Sequence, residues 1–447
     1  MNLIKGREEE YFFAQLSYKK DFNDFSLQTK LNYSNRQSDI SGYLSNSVSD
    51  IASAFGVVGV DMQEAFYVRD AQTEENIEAE AILTLPEIFS NDISIGLGIR
   101  GVSMSRNDFY SSAENAITQN YNTIVTSPNY QYFPFRAEKE PAYWQDVNST
   151  DIFSNTNRTI SYAHIQDLIS VNKSLDFVAG ARADYYSDIG MNYSARLGLV
   201  YRANDALIFK LLYGSAFRAP TFTEEYTNGH IGYRAGNTSL KPEETNTYET
   251  AIIYKPNFHN KFALNLYYST LTNVIDLEEK STTIPGYQNM KPRTSKGLEF
   301  EYFFKTQQTH NLYFNASYIE AGYTVPAEDD SVEIDQDMPD ISKLMLKAMY
   351  IFHPLKALSF GTTWQYYSQT TKTKLLWVVS TNRDTPVQEY HLVDETITYN
   401  FLNNSELRLS IKNIFNEEVR LPSYYYTLPG GVLREGTNYY LTYSYNF

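Results

Sequence analysis

"GTNYYLTYSYNF", Gly436 to Phe447, alternates almost without a break. Tyr439, Leu441, Tyr443, Tyr445 and Phe447 fall on one side of an extended chain, and Asn438, Thr442, Ser444 and Asn446 on the other, with Tyr440 the exception. Side chains of a strand point alternately to its two faces, so this is a strand with one apolar and one wet face. The edge of a soluble sandwich can carry one such strand. Whether the rest of the chain repeats the pattern decides the fold.

The pattern recurs almost everywhere. Ile77, Ala79, Ala81, Leu83 and Leu85 oppose Glu78 and Glu80; Leu175, Phe177, Ala179, Ala181, Ala183 and Tyr185 oppose Asp176, Arg182 and Asp184. Phe262, Leu264, Leu266 and Tyr268 oppose Asn265 and Ser269; Leu298, Phe300, Tyr302 and Phe304 oppose Glu299 and Glu301; Leu407, Leu409 and Ile411 oppose Glu406, Arg408, Ser410 and Lys412. About seventeen segments of roughly 10–14 residues follow this rule. Asp167, on the side of Ile165 and Ile169, and Glu395, with Val393 and Ile397, break it and mark bulges or interface-level positions.

Connections alternate between short and long. Short ones are Lys19–Asp24, Pro86–Asp92, Asn172–Ser174, Arg202–Asp205, Pro256–Lys261 and Asn400–Ser405. Long ones are Arg36–Gln72, Arg106–Asn155, Arg218–Glu243, Thr272–Thr294, Gly322–Pro339 and Glu417–Glu435. Short turns on one side and long loops on the other, with charges that lipid would penalise confined to one face, predict an all-β, transmembrane antiparallel barrel. A soluble sandwich or propeller has shorter strands and no such sidedness. No helical period persists beyond about two turns.

Composition agrees. The 447 residues hold 39 Tyr, 26 Phe and no Cys, and no apolar run is long enough for a membrane helix, which leaves a barrel open. A net charge of −16 excludes a nucleic-acid footprint, and the missing cysteines exclude disulfides and thiolate metal sites. The start, "MNLIKGREEEYFF", has no export-signal core. Counting back from a last strand that ends at the short-turn side, Tyr11–Tyr18 runs from the loop side down, so the reading expects absent N-terminal strands.

From Tyr213 to Tyr254 the chain leaves a strand, crosses a long loop and enters the next: "YGSAFRAPTFTEEYTNGHIGYRAGNTSLKPEETNTYETAIIY". Its A-F-R-A-P step (Ala216–Pro220, with Phe217 and Arg218) and G-N-x-x-L-x-P-E step (Gly236–Glu243, with Asn237, Leu240 and Pro242) resemble those of TonB-dependent outer-membrane receptors. An N-x-F-N step (Asn413–Asn416), a Pro-Gly pair and the terminal Phe447 resemble the end of such barrels, where the insertion machinery reads the last strand. The resemblance implies the barrel domain of a receptor in a Gram-negative outer membrane, of about twenty-two strands when complete. It also implies a signal peptide, a plug domain and early strands outside residues 1–447, with lipid, the insertion machinery and, through the plug, TonB–ExbB–ExbD as partners. No cofactor is expected, and the ligand expected is a ferric siderophore, with haem or cobalamin as alternatives. A passive porin or adhesin, or a truncated receptor without function, are the readings of another class.

Several residues are candidates for ligand contact. Pro220 removes a ladder donor and ends a strand; Arg218 beside it can pair with Glu243 or Glu244 as a brace, or reach a ligand. His230, near Tyr226, Tyr233 and Arg234, resembles the loop histidine of the family's haem receptors and is also an ordinary solvated residue. Arg136, Tyr143 and Trp144 lie in the most aromatic loop, which suits flat aromatic siderophores or an interface girdle. Glu328–Asp340 holds seven acids without EF-hand spacing and reads as a solvated loop, not a metal site. "GLGIRG" (Gly96–Gly101) keeps strand alternation where a dinucleotide site needs a helix, so its glycines make room in the lumen. His164 shares the wet face with Tyr162 and Gln166 but has no Ser or acid to work with, and catalytic motifs are absent, so an enzyme is rejected.

Overall fold

The computed structural model describes residues 6–45, 66–87, 90–111, 150–151, 155–227, 235–277, 286–306, 309–326, 333–338, 340–371, 386–401, 404–421 and 432–445. The strands in order are β1 (Gly6–Asp21), β2 (Ser26–Ser45), β3 (Phe66–Thr84), β4 (Asn91–Ser111), β5 (Thr150–Asp151), β6 (Thr156–Asn172), β7 (Leu175–Tyr186) and β8 (Gly190–Asn204). β9 (Leu207–Arg218) is followed by one short helix, α1 (Phe222–Tyr226), then β10 (Glu243–Asn257), β11 (Asn260–Thr272), β12 (Val274–Leu277), β13 (Tyr287–Met290), β14 (Arg293–Lys305) and β15 (His310–Pro326). The chain closes with β16 (Glu333–Asp337), β17 (Leu344–Leu355), β18 (Leu358–Tyr367), β19 (Tyr390–Asn400), β20 (Ser405–Lys412), β21 (Arg420–Leu421), β22 (Val432–Leu433) and β23 (Asn438–Tyr445).

Nineteen of these form one sheet. β5 and β16 are short flaps on it, and the other seventeen make a continuous antiparallel meander in which each strand pairs with the next in sequence. β12–β13 and β21–β22 are separate hairpins above the loop end. Among the described residues no helix is long and apolar enough to cross a membrane. The outer edges of β1 and β23 carry no partner among the described residues.

Register places one class of side chain on each face. The cross-strand row Leu31, Ala79, Ile99, Ser161, Tyr185, Met191 runs unbroken through six strands. Its next-door row, Lys30, Glu80, Gly98, Tyr162, Asp184, Asn192, points the other way. The apolar rows are exposed (Ile77 64%, Leu97 60%, Leu441 72%) while Tyr162 is 7% and Asp184 2% exposed on the polar side. That is the reverse of a water-soluble core, and it is the arrangement of a wall between acyl tails and a wet lumen. Tyr440, the exception in the last strand, pairs with Ser410 on the inner side.

The strands differ from the expected segments in length. β2, β3 and β4 run to 20, 19 and 21 residues, so parts of the expected long loops Arg36–Gln72 and Arg106–Asn155 are strand. Paired backbone satisfies its own N–H and C=O groups, so the ladder can continue past the lipid. One loop-side connection is tight: Ser187, Asp188 and Ile189 alone join β7 to β8, with Asp188 Oδ1 accepting from Ile189 N at 3.0 Å and Gly190 at φ +77°.

Asp167 and Glu395 are not bulges. Asp167 pairs in register with Ile93 and Ala179, and Glu395 with Thr362 and Ile411. Both therefore sit on the outward face, where Glu395 accepts from Thr362 Oγ1 at 2.6 Å.

Candidate functional site

At the loop end the chain between β9 and β10 folds into a braced platform. β9 stops because Pro220 offers no N–H, and Pro220 itself is fully buried. Thr221 then caps α1: its Oγ1 accepts from Glu224 N at 3.2 Å, and Glu224 Oε2 accepts from Thr221 N at 2.7 Å. This T-x-x-E capping box satisfies two donors that a helix start leaves open, enough to hold a five-residue helix that packing then secures.

Two arginines hold the platform. Arg218 Nε donates to Glu243 at 2.6 Å, and its Nη atoms donate to the two oxygens of Glu224 at 2.9 and 3.1 Å. Glu243 lies opposite Arg218 in the β9–β10 ladder; Glu244 lies opposite Phe217 and turns to the other face, so it is not the partner. Arg158, at the top of β6, is the deeper brace. Its guanidinium donates to Asp188 at 2.6 Å, to Pro220 O at 2.9 Å and to Glu225 at 2.6 Å. It also lies over the Phe222 ring, 4.9 Å from the centroid. Arg158 and Glu225 are buried. Burial pushes the Glu225 carboxyl up to about 7 against the pull of Arg158, with Asp188 and Glu224 adding to the rise. Tyr226 is raised as well, by burial first and then by Glu225 and Asp188.

The returning segment of the platform is clamped to its start. Gly236 N donates to Thr227 O at 2.9 Å and Asn237 N to Glu224 O at 2.9 Å. A Cβ on Gly236 would come within 2.6 Å of Glu225 O, so only glycine lets the two backbones approach. The Asn237 side chain accepts from Ser239 N at 2.9 Å and donates to Tyr287 O at 3.0 Å, reaching the β12–β13 hairpin. Leu240 packs there with Ile275 and Tyr287, and Pro242 O accepts from Asn273 Nδ2 at 3.2 Å. Phe217 meets Tyr186 edge-on with ring centroids 5.8 Å apart.

Of the expected ligand contacts, Arg218 and Tyr226 therefore sit within the brace. Arg136, Tyr143, Trp144, His230, Tyr233 and Arg234, with Phe447, lie outside the described residues, as do 328–332 and 339 of the acidic stretch, whose Glu333–Asp337 is not loop but the short strand β16 paired with β15. Arg158, Asp188 and Glu225 were not singled out in the sequence, and partners so far apart along the chain leave no local signal. The T-x-x-E step at Thr221 was the available clue to α1.

Below the rim the inner wall is a hydrogen-bonded polar surface. Tyr162 donates to Glu78 at 2.8 Å, Lys30 meets Glu80 at 3.1 Å, and Arg182 lies 4.0 Å over the Tyr162 ring. The rings of Tyr162 and His164 lie over Gly98 and Gly96, where any Cβ would collide with them. Those two glycines are seats for inward rings. His164 has Gly96 and Arg182 as its register neighbours, neither a nucleophile nor a carboxylate.

Known proteins can be set beside this geometry. A family described as "TonB dependent receptor-like, beta-barrel" matches residues 5–414. The chain is 23% identical over 273 residues to the vitamin B12 transporter BtuB of Vibrio cholerae serotype O1, covering 60% of this chain and 39% of that protein. It is 32% identical over 121 residues to the probable TonB-dependent siderophore receptor PirA of Acinetobacter baumannii, covering 24% of this chain and 16% of that one. The crystal structure of the siderophore receptor PirA from Acinetobacter baumannii superposes with a TM-score of 0.68 at 14% identity, over 99% of this chain and 63% of that one. The ferric-catecholate import receptor Fiu from K12 E. coli does so with 0.64 at 12% identity, over 98% and 64%. At such identities the superpositions speak for the fold alone. The chain spans about two fifths of the length of BtuB. With nearly its whole length matched and its wall, turns and rim built as described, this chain belongs to the TonB-dependent receptor β-barrel family.

Proposed function

We propose that the chain forms most of the wall of an outer-membrane receptor that takes up a scarce iron complex, a ferric siderophore, with energy delivered through TonB. The observation that carries this reading is the wall itself: a seventeen-strand meander, apolar outward and polar inward, topped by a loop platform braced at Arg158 and Arg218. A passive pore has no need of so rigid a rim; a receptor does, because loop residues that grip a ligand need a fixed base. The names of the relatives support the same class, as siderophore receptors, a ferric-catecholate import receptor and a vitamin B12 transporter. In this reading Arg136, Tyr143, Trp144, Tyr226, His230, Tyr233 and Arg234 supply ligand contacts, and Arg218 holds the platform. The plug, the remaining strands and the TonB-contacting segment belong to sequence beyond this piece; the unpaired edges of β1 and β23 support this, because open ladder groups are costly in lipid.

Iron-limited growth of a strain deleted for the intact gene tests the proposal. Growth on at least one ferric siderophore should fail in the deletion and return with the wild-type gene. Growth unchanged on every siderophore, haem and cobalamin source would overturn it.

A further inference from the structure

A groove of about 550 Å³ lies on the outward face of β7–β11, between two neighbouring cross-strand rows. The lower row is Phe177, Leu199, Leu211, Thr250 and Leu266, each opposite the next across its ladder. Thr250 is its one short side chain. The upper row holds Leu197, Tyr213, Tyr248 and Tyr268. Tyr213 and Tyr248 pack with ring centroids 5.1 Å apart, and Tyr213 Oη donates to Asn246 Oδ1 at 2.9 Å, so the loop-side wall of the groove is held in place.

An acid heads the upper row. Followed back to β6, the row reads Asp167, Ala179, Leu197 and then the three tyrosines, so a single methyl stands between Asp167 and the groove. Asp167 Oδ1 is buried and has no hydrogen-bond partner among the described residues. Around it on that face stand Ile93, Ile165, Ile169 and Ala179, none with a donor to offer. Glu395, also outward, already accepts from Thr362. A polar group turned to acyl tails without a partner is costly, and an acid in a membrane wall marks a place where a partner binds. Rows run perpendicular to tilted strands, so this one climbs the wall. Asp167 lies closer to the turn end of β6, at Asn172, than Tyr268 does to that of β11, at Asn260. The groove thus begins in the turn-side leaflet beside the acid and rises toward the middle of the membrane, the course of an acyl chain whose headgroup sits at Asp167. A lipid of the opposite leaflet would meet it tail first. A water-borne amine has no use for the groove, and a plain hydrocarbon has none for the acid.

We propose that Asp167 and the groove of β7–β11 bind a phospholipid of the turn-side leaflet that carries a primary ammonium headgroup, the ammonium donating to Asp167 and one acyl chain lying between the two rows. The site depends on the facing of the wall and on no ligand at the loop end.

The full-length protein is reconstituted in vesicles of equal parts phosphatidylethanolamine, phosphatidylcholine and phosphatidylglycerol, extracted into mild detergent, and its retained lipid measured by native mass spectrometry. Wild type should retain phosphatidylethanolamine about fivefold or more over either other lipid, because a quaternary head has no N–H to donate and a glycerol head has no cation. Asp167→Asn should bring the three lipids level. Thr250→Phe, which fills the groove and leaves the acid, should lower retention of phosphatidylethanolamine by about fivefold or more. Glu395→Gln, remote on β19, should behave as wild type. Equal retention of the three lipids by wild type, an unchanged preference in Asp167→Asn, or the same loss in Glu395→Gln each overturns the site. Should Asp167→Asn not fold, Thr250→Phe decides alone: retention equal to wild type overturns the site and a selective loss supports it.

Discussion

Arg158 holds a buried carboxylate, a second and partly exposed one, and a buried carbonyl, and that sets it apart from the ion pairs spread over the wall. Removing one partner of a buried pair leaves the other charged and uncompensated. Arg158→Met should therefore lower unfolding stability in denaturant titrations by about 3–5 kcal/mol. The exposed Lys296–Glu320 pair, at 2.9 Å, is screened, so Lys296→Met should leave the midpoint within error. Glu225 adds a pH signature. Its folded value, about 7, lies above the ordinary carboxylate value, so the folded state holds the extra proton between the two. Stability should fall as pH rises from about 4.5 to 7 and level off above, by on the order of 2 kcal/mol, with Arg158, Asp188, Glu224 and Tyr226 as the charged and titratable neighbours. Thermal midpoints at pH 5.5 and pH 8 should differ in wild type and coincide in Glu225→Gln; a wild type with equal midpoints would contradict the burial argument. Gly236→Ala pushes a methyl against fixed backbone and should cost about 1–3 kcal/mol in the same titration. At this scale the sequence was only partly readable. Arg218 and Glu243 flank one loop and could be matched across it; Arg158 and Glu225 are brought together only by the consecutive pairing of β6, β7, β8 and β9.

Strands carry the next level, and one substitution can weigh the two faces against each other. Leu266 points outward and Asn265 inward in β11, where Leu266 pairs with Leu298 and Asn265 with Glu299. Arginine at Leu266 should destabilise the folded protein in lipid by about 2–4 kcal/mol if it lies near the midplane, and arginine at Asn265, which meets Glu299, by far less. Denaturant titration in liposomes reads both, and equal losses would contradict the facing. The alternation that dictates this was legible in nearly every strand, because lipid outside and water inside impose a period of two on each. Length was less legible: β4 continues to Ser111 on ladder hydrogen bonds that polar residues satisfy as well as apolar ones. The tight turn at Asp188 escaped because three residues between two strands look like any short connection, and nothing local says which side they are on. α1 escaped because five residues are too few to show a helical period.

Across the described residues, seventeen strands in sequence order leave two edges without a partner, β1 and β23, each exposing consecutive aromatic residues: Phe12 and Phe13 on one, Tyr439 and Tyr440 on the other. If those edges are joined through strands outside this chain, the full-length protein should migrate faster unboiled than boiled on a denaturing gel, while residues 1–447 alone should migrate alike in both. A compact unboiled band from the isolated chain would show that it closes on itself. The most direct test of the wall uses the fact that the protein has no cysteine. Single cysteines are placed in turn at residues 263 to 268 of β11 in the full-length protein in liposomes, and labelled with a membrane-impermeant thiol reagent after the lumen is opened by mild denaturant. The account predicts labelling at Ala263, Asn265 and Tyr267 and protection at Leu264, Leu266 and Tyr268; uniform labelling, or protection in a period of three to four residues, would contradict it.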